Sequence, residues 1–208
     1  MENENNFIQN QSNELERMIQ GTDIPKIQIE TESIEDSPED ALWLDFQSGD
    51  DVEGIKSAGI ETYVISPITE RDLFSDKYLN CTGMVGIGRD KVSGKEIAFI
   101  SHQDSEYFLH KGSEETEKFS SDLKLTVCEL LTRSVEGTVE VVLFGGNDEP
   151  ADQESKKSKD YKKSIEMLTE IVQRSTGLKP TVLLEANHEG GAVDVTVLTQ
   201  KRKVSVQK

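Results

Sequence analysis

The chain is short of cysteine, histidine, tryptophan, proline and positive charge. Its 208 residues hold two Cys, three His, one Trp and five Pro, and 23 Lys and Arg face 40 Asp and Glu. Each scarcity removes a class of protein. Two cysteines without a repeated spacing cannot build a disulfide framework, and with no secretory h-region at the N-terminus they point to free thiols in a reducing compartment. Three histidines (His102, His110, His188) and two cysteines show no metal-ligand spacing, so no metal is expected. A net charge of −17 leaves no basic stripe for phosphate, which argues against nucleic acid as a partner. No apolar run approaches the roughly 18 residues that a membrane span needs. The expectation is a soluble, cytoplasmic protein, with export as an effector left open.

What is present is one domain with an acidic leader. Residues 1–40 carry eleven acids and two bases and little apolar patterning beyond Leu15, Met18 and Ile19, the composition of a mostly disordered tail. Apolar density rises from Ala41-Leu42-Trp43-Leu44-Asp45-Phe46, where the domain, 41–208, is set to begin. Residues 60–65 read as a strand ended by Pro67, followed by an irregular charged connection that holds Thr69 and Ser75. Two amphipathic helices are expected over 113–134 and 160–175, because Phe119, Leu123, Val127, Leu130 and then Ile165, Leu168, Ile171, Val172 keep a 3.6-residue stripe. Strands are expected at 138–144, 181–185, 193–199 and 203–207, the last two as a hairpin. Together these elements predict an α/β layered sandwich with a mixed, largely antiparallel sheet and two main helices.

The chemistry gathers at one hairpin. Thr82-Gly83-Met84-Val85-Gly86-Ile87-Gly88 precedes a polar turn over Asp90-Lys91-Val92-Ser93-Gly94, and Glu96-Ile97-Ala98-Phe99-Ile100 returns. Counting outward sets Cys81 opposite His102, Gln103 or Asp104. Directly opposed residues have Cα atoms about 4.5 to 5.5 Å apart, so an imidazole there can take a thiol proton if both side chains share a face. Glycines 83, 86 and 88 run in the wrong order for a dinucleotide fingerprint and lack the following helix, and read instead as close-packing positions. Cys128, on the flank of the first helix stripe, reads as structural. The basic run from Lys156 to Lys163 reads as a solvated helix start.

In this order, the strand-opening Cys81, the hairpin, His102, an amphipathic helix, Val142-Leu143-Phe144-Gly145-Gly146, a second helix, Gly190-Gly191 and two terminal strands resemble the chemoreceptor glutamine deamidase CheD and its relatives. The similarity spans about residues 60 to 207; cytotoxic necrotizing factor-type toxins share the Cys-His pair and the sandwich. The resemblance implies Cys81 as nucleophile, His102 as base and, six positions before the cysteine, Ser75 where the family has threonine, with Thr69 as a rival. Two departures stand out: Leu79-Asn80 replaces the family's Gly-Ser, and the late glycine pair is followed by Ala192-Val193 rather than Gly-Arg.

What this implies is a cysteine amidohydrolase that deamidates exposed glutamines of a protein substrate through a thioester, without a cofactor. Backbone N–H groups near Asn80 to Thr82 would hold the oxyanion. Two alternatives stay open: a non-catalytic interaction module on the same fold, and transamidation through the same thioester. The face shared or not shared by Cys81 and His102 separates catalysis from the module.

Overall fold

The computed structural model describes residues 26–30, 40–45, 53–57, 62–79, 81–105, 109, 113–145, 156–183 and 192–207. The chain order is β1 (Gln28–Glu30), β2 (Leu42–Trp43), β3 (Lys56–Ser57), β4 (Tyr63–Ile65), β5 (Leu73–Tyr78), β6 (Cys81–Arg89), β7 (Glu96–Asp104), α1 (Ser113–Arg133), β8 (Glu140–Gly145), α2 (Lys156–Thr176), β9 (Thr181–Leu183), β10 (Val193–Leu198), a 3-10 turn (Thr199–Lys201) and β11 (Lys203–Gln207). The layered α/β sandwich holds two mixed sheets, ordered β1-β11-β10-β5-β2 and β3-β4-β7-β6-β8-β9. Both helices cover the outer face of the six-stranded sheet, and the five-stranded sheet covers its inner face.

The β6–β7 hairpin is the spine. Nine consecutive pairs run from Arg89↔Glu96 to Cys81↔Asp104 without a shift. The turn is held by the Asp90 carboxylate, which accepts the N–H groups of Val92 and Ser93 at 2.9 and 2.8 Å, and by Gly94 at φ 70°. Alternation then sorts the side chains. Met84, Ile97 and Phe99 face the helices, with Phe119, Leu123, Val127, Leu130, Leu168 and Val172 above them. Cys81, Val85, Ile87, Ala98 and Ile100 face Leu73, Val195, Val197 and Val204 of the other sheet. Gly86 lies where a Cβ would sit 2.5 Å from the Phe99 ring and 2.9 Å from Leu130, so its bare backbone is what lets α1 approach.

Three expectations change. The segment from 73 to 78 is a strand with a bulge near its end, not an irregular connection. The leader is also not wholly a solvated tail, since β1 pairs in parallel with β11 and Ile27 N–H donates to Glu140 at 2.7 Å. The second helix begins at Lys156, four residues before its expected start at 160, so the basic run forms its opening turns.

At the far end of the inter-sheet layer from Cys81, a buried ionic cluster fastens the sheets. Arg202, in the left-handed region at φ 51°, places Nη1 2.6 Å from Glu96 and Nη2 3.0 Å from Glu140, and donates to the Thr138 carbonyl at 2.9 Å. Arg89 takes the other Glu96 oxygen at 2.8 Å. Removing one member of such a cluster strands the opposite charge away from water. Arg202→Ala is expected to cost about 3 to 5 kcal/mol of stability, read from the urea midpoint at unchanged slope. A loss below about 1 kcal/mol would mean that the cluster does not fasten the sheets.

Candidate active site

Cys81 faces Asp104 in the ladder, and Gly83 faces His102. Cys81 and His102 are therefore diagonal neighbours on one face of the hairpin, the face turned to the second sheet. Diagonal Cα positions lie about 7 to 8 Å apart, within reach of a ring and a thiol that lean toward each other. The residue opposite His102 is glycine for a visible reason. A Cβ at Gly83 would meet the Phe144 ring at 2.5 Å, so its absence admits that ring beside the histidine.

The second sheet supplies the rest through a bulge in β5. Ser75 pairs with Val195 and Tyr78 with Val193, so three steps on β5 match two on β10. Lys77 absorbs the extra residue at φ 60°, and its N–H is taken by the Asp194 carboxylate at 3.0 Å. In a regular strand, residues three apart point to opposite faces. The bulge turns both Ser75 and Tyr78 inward, where each is fully buried.

Those two side chains clasp the imidazole. Ser75 Oγ lies 3.1 Å from His102 Nδ1 and also donates to the Leu44 main-chain carbonyl at 3.2 Å. The Tyr78 ring stacks on the imidazole at 3.7 Å and 15°, donates its hydroxyl to the Ser101 carbonyl at 3.1 Å, and meets Phe144 edge-on at 5.1 Å. His102 is 0% exposed, and burial pushes its pKa down to about 3. Burial also holds the Tyr78 phenol well above its ordinary value; the Ser75 hydroxyl opposes this, and the neighbouring Cys81 and Asp76 add to it. Cys81 is 7% exposed, at the first residue of β6, two positions after the exposed Leu79.

Of the sequence candidates, Ser75 and His102 are in hydrogen-bond contact, and Cys81 shares the face of the hairpin that carries His102. Thr69 does not: its backbone bridges Ala98, four residues down β7 from His102, and its hydroxyl accepts the Arg71 N–H at 3.1 Å. Thr82 occupies both ladders of β6, but its hydroxyl points to the helix side, 2.6 Å from Ser164 Oγ and accepting from Gln103 at 3.2 Å. Asn80 lies outside the described residues, as do His110, His188, Gly146, Gly190 and Gly191. Cys128 is half-buried on α1, as its place beside the apolar stripe implies. Tyr78, Phe144 as a ring neighbour, and the Leu44 carbonyl were not legible as site groups. A main-chain acceptor leaves no trace in sequence, and the bulge that aims Tyr78 breaks the alternation that would have exposed it.

No protein-family profile matches the chain, and no curated protein matches it in sequence. Among the described residues, no helix is long and apolar enough to cross a membrane.

The buried imidazole makes stability depend on pH. An unfolded chain protonates His102 below about 6.5, whereas the folded one resists until about 3. The stability this group contributes above 6.5 is therefore lost as the pH falls, at up to about 1.4 kcal/mol per unit. Between pH 6.5 and 5, His102→Gln is expected to flatten the slope of unfolding free energy against pH. Identical slopes for variant and parent in urea titrations would contradict this.

Proposed function

We propose that the protein is a cysteine-dependent amidohydrolase that deamidates glutamine side chains of other proteins. The observation that supports this reading best is the Ser75 Oγ to His102 Nδ1 contact at 3.1 Å, on the sheet face that also carries Cys81. An acceptor on one ring nitrogen, with a thiol on the same face, is the arrangement by which a histidine is oriented to serve a nucleophile.

In this mechanism His102 Nε2 takes the Cys81 proton as sulfur attacks the carboxamide carbon. Main-chain N–H groups around residues 80–82 receive the developing oxyanion. The tetrahedral adduct collapses with loss of ammonia, which leaves with the proton held by His102. Water, deprotonated by the same imidazole, then hydrolyses the thioester to a carboxylate. The Thr82 hydroxyl takes no part, because it lies on the other face of the sheet. Transamidation would use the same thioester with an amine in place of water.

One observation favours a non-catalytic interaction module: His102 is wholly buried, and Cys81 is less exposed than Cys128. Packing alone would produce that burial. Substitution separates the two. Ammonia release from glutamine-bearing proteins is expected to vanish in Cys81→Ala and to fall at least about a hundredfold in His102→Ala. The thermal midpoint of Cys81→Ala should stay close to that of the parent, since a small side chain replaces a small thiol. Release that persists in Cys81→Ala would sink the deamidase reading and leave the module.

A further inference from the structure

The Ser75 hydroxyl has one proton, and the two nearest claims on it come from a carbonyl and a ring nitrogen. One is the Leu44 carbonyl oxygen at 3.2 Å, which can only accept. The other is His102 Nδ1 at 3.1 Å, which accepts or donates according to tautomer. Two oxygens at 3.2 Å with no hydrogen between them repel, so the proton belongs on the Leu44 side, and the contact to Nδ1 must then carry a hydrogen from the ring. The phenol of Tyr78 gives its own proton to the Ser101 carbonyl at 3.1 Å, so toward Ser75 it is a second acceptor beside Leu44. With acceptors on those sides, Nδ1 is again the group that must supply a hydrogen to Ser75.

We infer that the edge strand β2 is a positioning element for His102: the Leu44 main-chain carbonyl draws off the Ser75 proton, which fixes the ring hydrogen on Nδ1 and keeps Nε2 unprotonated. The geometry stands by itself; its catalytic meaning rests on the deamidase reading, in which Nε2 is the base. Were the carbonyl withdrawn, the main-chain acceptor of the Ser75 proton would be gone, donation to Nδ1 would gain ground, and the ring hydrogen would shift toward Nε2. That tautomer cannot take a proton from a thiol there.

The carbonyl is delivered by a slender element. β2 runs along the edge of its sheet, in parallel with β5, through Leu42 N–H to Asp72 and Leu44 N–H to Phe74, each at 2.8 Å. The Arg71 guanidinium grips the Asp40 carbonyl at 2.9 and 3.3 Å. The Leu44 side chain is fully buried in the inter-sheet core, while Trp43, 55% exposed, rests edge-on against Phe74 at 5.8 Å. The Leu44 side chain thus anchors the strand while its carbonyl serves the site. Loosening β2 would weaken the base without touching any side chain in it.

The test reads the tautomer directly. In full-length protein with ¹⁵N-labelled histidine at neutral pH, long-range proton–nitrogen spectra distinguish a protonated ring nitrogen from an unprotonated one. The parent should show His102 protonated on Nδ1. Replacing Asp45 by its α-hydroxy acid turns the Leu44 amide carbonyl into an ester carbonyl, a weaker acceptor, and leaves every side chain in place. The His102 signals should then move toward Nε2–H, and Cys81 alkylation by iodoacetamide, normalised to Cys128 in the same molecule, should slow several-fold. Ser75→Ala should move the signals likewise, and Ser75→Thr should restore them. A parent protonated on Nε2, or an ester variant with unmoved signals, overturns the inference. Because no substrate is involved, the two readings fail separately. The expected tautomer without Cys81-dependent ammonia release sustains the role of β2 and overturns deamidation. Ammonia release from a parent with Nε2–H does the reverse.

Discussion

The unbroken register of the β6–β7 ladder is the constraint on which the rest depends. Nine pairs without a bulge fix the parity of every residue from Cys81 to Asp104. A single inserted residue would send the thiol to the helix side and leave the imidazole between the sheets. The same parity places Arg89 and Glu96, at the turn end, on the face that carries Cys81 and His102 at the open end. The inter-sheet layer therefore has a polar group at each extremity and aliphatic packing between: Val85, Ile87, Ala98, Ile100, Val142 and the valines of β10 and β11.

That layout makes the site a property of two sheets. Cys81 and His102 come from one, Ser75 and Tyr78 from the other, and only two residues of chain separate Tyr78 at the end of β5 from Cys81 at the start of β6. That short link holds the sheets together at the site, and the Arg202 cluster holds them at the other end of the layer. Arg202 closes the β10–β11 turn in a left-handed conformation and reaches Glu96, Glu140 and the Thr138 carbonyl across the layer. A guanidinium held between two carboxylates and a carbonyl is satisfied only in a narrow range of positions, so the cluster adds a directional contact to the aliphatic packing between the sheets.

Legibility in the sequence followed the strength of local signals. The hairpin was readable because its turn chemistry and its run of apolar and glycine residues agree, and both helices because their stripes keep a 3.6 period. β5 was not readable. Leu73-Phe74-Ser75-Asp76-Lys77-Tyr78 carries a polar residue on its buried face and a bulge at Lys77, so its period breaks at the point where it serves the histidine. β1 was hidden for a different reason. Three residues in an acidic leader carry no signal of their own, and they form a strand only because β11 offers an edge. Counting narrowed the residue opposite Cys81 to three, of which Asp104 is the ladder partner and His102 its neighbour on the same face, whereas the choice of Ser75 over Thr69 needed the second sheet, which no spacing in the sequence announces.

Burial also shapes what chemistry this pair can perform. An imidazole whose pKa is pushed to about 3 has little tendency to rest as imidazolium beside a thiolate, because separated charge in a dry layer costs more than it does in water. If Cys81 attacks a carboxamide, the resting site is a neutral thiol beside a neutral imidazole, and charge appears only as the attack proceeds. The transient imidazolium would carry its second proton on Nε2 and keep the first directed at Ser75, whose own hydrogen already points to Leu44. Ser75 and Leu44 thus form a relay of fixed dipoles oriented to stabilise positive charge on the ring before that charge exists, as preorganised electrostatic catalysis requires. A more exposed pair would gain a standing thiolate and lose selectivity toward passing electrophiles. In the deamidase reading, burial of the pair would make activation of the thiol wait on a bound substrate.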